Sequence, residues 1–119
     1  MSLIVNLPWP PSILSPNGRP GHWGQKARVT KETRKKAAQA AWDQGVDPVR
    51  GTGQLASVTF HPPNGRHDKD NCVSHCKATF DGLADAMGVN DRNFDPDFIM
   101  GEPVKGGAVV VEITDIPGE

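Results

Sequence analysis

A stripe of apolar side chains constrains this chain most. Val73, Cys76, Phe80, Leu83, Ala84 and Met87 follow one another at helical spacing. The spacing predicts an amphipathic helix from about Asp70 to Met87, stopped by Gly88 as the residue after its C-cap. Such a helix must bury one face. The other apolar runs are short and punctuated. Leu3–Leu7 reads as a strand closed by Pro8-Trp9-Pro10-Pro11, because proline cannot donate to a ladder. Gln54–His61 alternates as a strand, with Leu55, Ser57 and Thr59 opposite Ala56, Val58 and Phe60. Pro62-Pro63-Asn64-Gly65 ends it.

Thr30 predicts the cap of an earlier, alanine-rich helix running to about Gln44, with Gly45 as its stop. Trp42 lies near its end. Between the first strand and this helix, Ser12–Arg28 is a long Gly, Pro and Asn loop, of the length that carries function in small domains. Asp47-Pro48 and Gly51-Thr52-Gly53 read as a linker. In the tail, Phe98-Ile99-Met100, the Gly106-Gly107 turn signal and Ala108–Thr114 predict a β-hairpin or two adjacent strands. The expected order is β-α-β-α-β-β. It describes one small α/β (α+β) domain over residues 1–119, a mixed sheet with two helices.

With 119 residues, one modest core is the expectation. No apolar run is long enough to span a bilayer, and Met1–Trp9 lacks the basic start and apolar stretch of a secretory signal. Cys72 and Cys76 are too close for a secreted disulfide framework, which points to a reducing, cytoplasmic setting.

The net charge of −1 conceals a division. Residues 1–50 hold 8 Lys and Arg against 3 Asp and Glu, a net of +5; residues 51–119 hold 5 against 11, a net of −6. A basic half beside an acidic half fits a polyanion-binding surface next to a cation-binding one, with plain patchiness as the alternative.

The chemistry concentrates in Arg66-His67-Asp68-Lys69-Asp70-Asn71. In extended chain Asp68 and Asp70 point the same way, so their carboxylates can aim at one point. A hard cation such as Mg²⁺ takes one or two carboxylates plus water and phosphate. Asp91, after the helix, is a candidate third ligand. The bland alternative is helix capping by Asp68 and Asp70. Lys77 falls on nearly the same helical face as Asp70, about 10 Å along the axis. Two readings of it stand side by side: a partly buried stem with its ammonium held near a phosphodiester, or a surface lysine paired with Asp81. Zinc on Cys72, His75 and Cys76 is disfavoured, because no C-x-x-C pair exists and Cys76 belongs to the apolar stripe.

These residues resemble the RusA family of phage and prophage Holliday-junction resolvases in three blocks covering nearly the whole chain. The first is Leu7-Pro8-Trp9-Pro10-Pro11-Ser12. The second is Ser15-Pro16-Asn17 with Arg19, His22-Trp23, Lys26, Arg28 and Thr30-Lys31. The third and most specific is Asp68-Lys69-Asp70-Asn71, Lys77, Asp81-Gly82-Leu83-Ala84-Asp85-Ala86 and Gly88-Val89-Asn90-Asp91. Lys77 follows Asp70 by seven residues, where the best-known branch has four, and Asn90 stands where many members have another aspartate.

The resemblance implies a small homodimeric enzyme that cuts four-way DNA junctions by Mg²⁺-dependent phosphodiester hydrolysis, with Mn²⁺ as a possible substitute metal. It implies no organic cofactor and no membrane partner, in the cytoplasm of a bacterial host of the phage or prophage. By motif match, Asp68, Asp70 and Asp91 bind metal and act in catalysis, and Lys77 is the catalytic lysine. Asn17, Arg19, Lys26, Arg28, Lys31, Arg34 and Lys35 would hold DNA backbone. Trp23 and Trp9 are candidates for stacking on bases, with packing as the alternative. Two other readings stay open: a phage protein that keeps the fold and binds branched DNA without cutting, and a small regulatory protein with no DNA role.

Overall fold

Apolar alternation builds three of the four strands. Val5 and Leu7 of β1 (Ser2–Pro8), Val58 and Phe60 of β2 (Gly53–His61), and Val109, Val111 and Ile113 of β4 (Ala108–Asp115) are buried on one sheet face. The computed structural model describes residues 2–15, 23–46, 53–90, 92 and 94–115. Helix α1 (Trp23–Asp43) lies between β1 and β2; α2 (Lys69–His75) and α3 (Lys77–Met87) lie between β2 and the short β3 (Asp97–Met100). A 3-10 turn, Ser12–Leu14, follows β1.

The sheet order is β1-β4-β2-β3. β4 runs antiparallel to both neighbours, and β3 runs parallel to β2. This is one α+β domain with a mixed sheet, the expected class. Among the described residues no helix is long and apolar enough to cross a membrane.

Four features depart from the sequence reading. The hairpin expected in the tail does not form, because β2 lies between β3 and β4. The glycine turn is present, with φ of 80° and 73° at Gly106 and Gly107. The Val109–Val111 run takes a central position, however, where it pairs on both sides. Second, β2 carries a bulge between Leu55 and Ser57. The extra residue brings Leu55 to the buried face with Val58 and Phe60, whereas strict alternation separates them.

Third, α1 begins at Trp23, seven residues before the expected cap. The Thr30 hydroxyl donates to the Lys26 carbonyl at 2.8 Å instead, as serine and threonine do inside helices. Fourth, the long helix breaks at Cys76, where φ −94° and ψ 14° leave the helical region. Cys76 still donates to the Cys72 carbonyl and accepts from Phe80 N–H, so the apolar stripe passes the break.

Both glycine stops are as read. At Gly45, φ is 103° and Val46 N–H returns to the Ala41 carbonyl; at Gly88, φ is 71° and Val89 N–H returns to the Ala84 carbonyl. The helices pack closely because their seam is built from small residues, with Ala37, Ala38 and Ala41 of α1 buried. A Cβ added at Gly82 would overlap the Arg34 carbonyl oxygen and stand 2.8 Å from the Ala37 Cβ. Phe60, Phe80 and Phe98 close the other end of the core, with ring centroids 5.9–6.3 Å apart.

Candidate functional site

Asp68 sits on extended backbone as the N-cap of α2, and one of its carboxylate oxygens accepts the Asn71 N–H at 2.8 Å. The capping role is therefore present. Asp70 lies already inside the first helical turn. The two aspartates thus do not share an extended segment, so the alternation expected to align their carboxylates does not apply. Both are exposed. Among the described residues Asp70 has no hydrogen-bond or ion-pair partner; as the acid in the first turn of α2 it complements the helix dipole. A pair of exposed carboxylates, one with an oxygen left over from capping, fits the oxygen-donor demand of Mg²⁺, which completes its shell with water and phosphate.

Asp91, the third expected ligand, lies outside the described residues, as do Asn17, Arg19 and His22. Among the described residues no group of three His, Cys, Asp or Glu side chains converges as a metal site. Asn90 borders a polar recess shared with Arg34, Asp81 and Asp85. Its side-chain oxygen accepts the Arg92 N–H at 3.1 Å.

For Lys77 the structure takes the second reading, pairing with Asp81, over partial burial. The break at Cys76 makes it the first residue of α3, its side chain is 74% exposed, and its ammonium stands 3.7 Å from Asp81. Burial does not fix it. It lines the rim of an apolar pocket of about 210 Å³, walled by Val73, Phe80, Phe94 and Phe98.

The expected cations Lys26, Arg28, Lys31, Arg34 and Lys35 are all exposed and all on α1. Because the helix reaches back to Trp23, its period sorts them. Arg28, Lys31 and Lys35 form one stripe, whereas Lys26 points about 140° away from Lys31. Arg34 is committed elsewhere. Its guanidinium grips both Asp85 carboxylate oxygens, at 2.6 and 2.8 Å, tying α1 to α3.

The aromatic candidates also sort. Trp9 packs edge-on against His67 and His75, with centroids 5.7 and 5.6 Å away, so it is a packing residue. A Cβ on Gly107 would collide with its ring. The Trp23 side chain lies outside what is described. Trp42, which the sequence reading did not place in the site, is 45% exposed. Its position seven residues after Lys35 was the available signal, since that spacing returns to the same helical face.

His75 is buried beneath the proline turn. Its Nε2 is 2.8 Å from the Pro11 carbonyl, which can only accept, so Nε2 carries the proton. Burial holds its ring below the usual imidazole value, opposed by the Pro11 bond and aided by nearby His67. Cys72 and Cys76 are buried free thiols. Burial pushes both upward, with the Asp68 charge adding to it at Cys72 and Cys72 itself at Cys76. They are core residues.

No family model matches the chain. An uncharacterised protein of Xylella fastidiosa (strain Temecula1 / ATCC 700964) is 36% identical over 118 residues, spanning 94% of this chain and 76% of that protein. With that identity over almost its whole length, the chain belongs to the same family as the Xylella protein.

Proposed function

We propose that this chain is a Mg²⁺-dependent, structure-selective endodeoxyribonuclease that resolves four-way DNA junctions as a homodimer, as its resemblance to the RusA family implies. The setting is the cytoplasm of a bacterial host, with the gene carried by phage or prophage. The observation that carries the reading is Asp70: an exposed carboxylate without a partner among the described residues, two positions from the capping Asp68. The exposed cations of α1 support it from the same domain.

Asp68, Asp70 and Asp91 would hold the metal. A bound Mg²⁺ supplies an activated water and charge shielding at the phosphate. The chain's own residues do the rest. Arg28, Lys31 and Lys35 bind backbone phosphates. As the water oxygen bonds to phosphorus and the P–O bond to the leaving oxygen breaks, Lys77 offsets charge on that oxygen, which takes up the proton the water gives up. Two-fold pairing of protomers presents two sites for symmetric cuts.

The exposure of Lys77 and its contact with Asp81 favour one second reading, a branched-DNA binder that does not cut. Incubation with a synthetic four-way junction and a matched linear duplex, with and without Mg²⁺, separates the two. Paired, Mg²⁺-dependent nicks in the junction alone are expected. Salt-sensitive junction binding without nicks would give the second reading, and no salt-sensitive DNA affinity would overturn both.

A further inference from the structure

The seam between α1 and α3 opens into a groove of about 620 Å³. Lys31 and Lys35 line one part of it and Trp42 another, with Ala38 as floor and Gln39 beside it. Along α1, Lys31 and Lys35 are about 6 Å apart and Trp42 lies about 10 Å beyond Lys35, all on one helical face. The indole is both exposed and held. Nε1 donates to the Ala86 carbonyl of α3 at 3.3 Å, while 45% of the residue stays open to solvent. An exposed tryptophan whose polar edge is already satisfied offers a ring face and nothing else. The charge of the groove is positive: Arg34 and Asp85 are bound to each other there, which leaves the two lysines.

We propose that this groove binds a single DNA strand, with phosphates on Lys31 and Lys35 and an unstacked base on the Trp42 ring. Cations in line with an aromatic platform are what a single strand requires: the cations follow its backbone, and any base has a face to stack. A fully paired duplex keeps its bases stacked inside and has none to give to Trp42. The choice of DNA rests on the nuclease reading above. A junction cut near its branch point exposes such bases, so the groove would select branched over linear substrate at a place separate from the Asp68–Asp70 pair.

The test is titration of the full chain with a labelled oligothymidylate, following anisotropy and intrinsic tryptophan fluorescence, beside junction cleavage on the same preparations. The wild type should bind with quenching. Trp42→Ala should weaken binding about tenfold, the scale of one base–aromatic stack. Trp42→Phe should keep the affinity and lose most of the quenching. Lys31→Ala with Lys35→Ala, at exposed positions that leave the fold intact, should reduce the log–log salt slope by about 1.4.

Unchanged affinity in Trp42→Ala, or equal loss in Trp42→Phe, would overturn the stacking platform. So would wild-type binding to polyglutamate as tight as to the oligonucleotide. Junction cleavage without any Trp42-dependent single-strand affinity would contradict this inference alone. Single-strand affinity as described without cleavage would contradict the nuclease reading alone.

Discussion

The exposed face of α1 carries the candidate cations and the start of α2 the candidate acids, and the two are built in opposite ways. The first is a long helix of 21 residues laid on a seam of alanines, stopped by Gly45. Its cations are presented by a regular period over well-packed backbone. The second is a helix of seven residues whose own acid caps it and which breaks at Cys76. Its charged groups are placed by local irregularity. The difference teaches that the basic surface tolerates change one side chain at a time, whereas at the start of α2 the helix cap and the proposed metal ligands share the same atoms. Asp68 illustrates this: one carboxylate caps the helix and is also a proposed metal ligand.

The largest expected effect breaks the support beneath the basic face. Gly82→Ala forces a methyl into the Arg34 carbonyl and against Ala37, so α1 and α3 must part. Overpacking of this kind costs about 3 kcal/mol, to be read as a lowered urea midpoint. A variant as stable as the wild type would show that the seam is looser than described.

A smaller effect separates capping from chemistry at α2. Asp68→Ala should lose about 1 kcal/mol with the cap. Asp68→Asn should keep most of that stability, since asparagine caps as well, yet lose cleavage. Equal cleavage by Asp68→Asn would assign Asp68 to capping alone.

A pH-dependent effect follows at His75. Its folded-state value is depressed, so below about 6.5 the unfolded chain binds a proton that the folded chain refuses. Stability is therefore full above that value and falls as pH drops through it toward the folded-state value. His75→Gln should flatten this part of the denaturation profile. An unchanged slope would place the acid sensitivity elsewhere. The smallest effect is at Lys77. Its exposed contact with Asp81 contributes at most a few tenths of a kcal/mol, so Lys77→Ala should melt like the wild type while slowing cleavage. A loss of junction affinity instead would make Lys77 a backbone contact.

Much of the fold was legible because it depends on short-range rules. The glycines that stop α1 and α3 lie where left-handed backbone is needed, and the apolar periods mark the buried faces. What escaped depends on partners far along the chain. The bulge at Ala56 leaves the composition of β2 unchanged and alters only its register against β4. The break at Cys76 is hidden because the apolar stripe continues through it. The Gly106-Gly107 turn signals a local return, but the return passes over β3 and pairs with β2. Arg34 and Asp85 meet across 51 positions, so nothing local distinguishes Arg34 from Lys31 or Lys35. At the candidate site, the helix start that holds Asp68 and Asp70 was legible from the motif. The position of Lys77 was not, because it depends on the helix break.

The central claim is that the acids at the start of α2 perform chemistry and the cations of α1 perform binding. Asp70→Asn tests it most directly, because no partner among the described residues ties Asp70 to the fold. Junction affinity and Mg²⁺-dependent cleavage, measured on the same preparation beside the wild type, should divide. Affinity and melting temperature are expected to stay unchanged while cleavage disappears. Cleavage at the wild-type rate would remove the acidic pair from the mechanism and contradict the account.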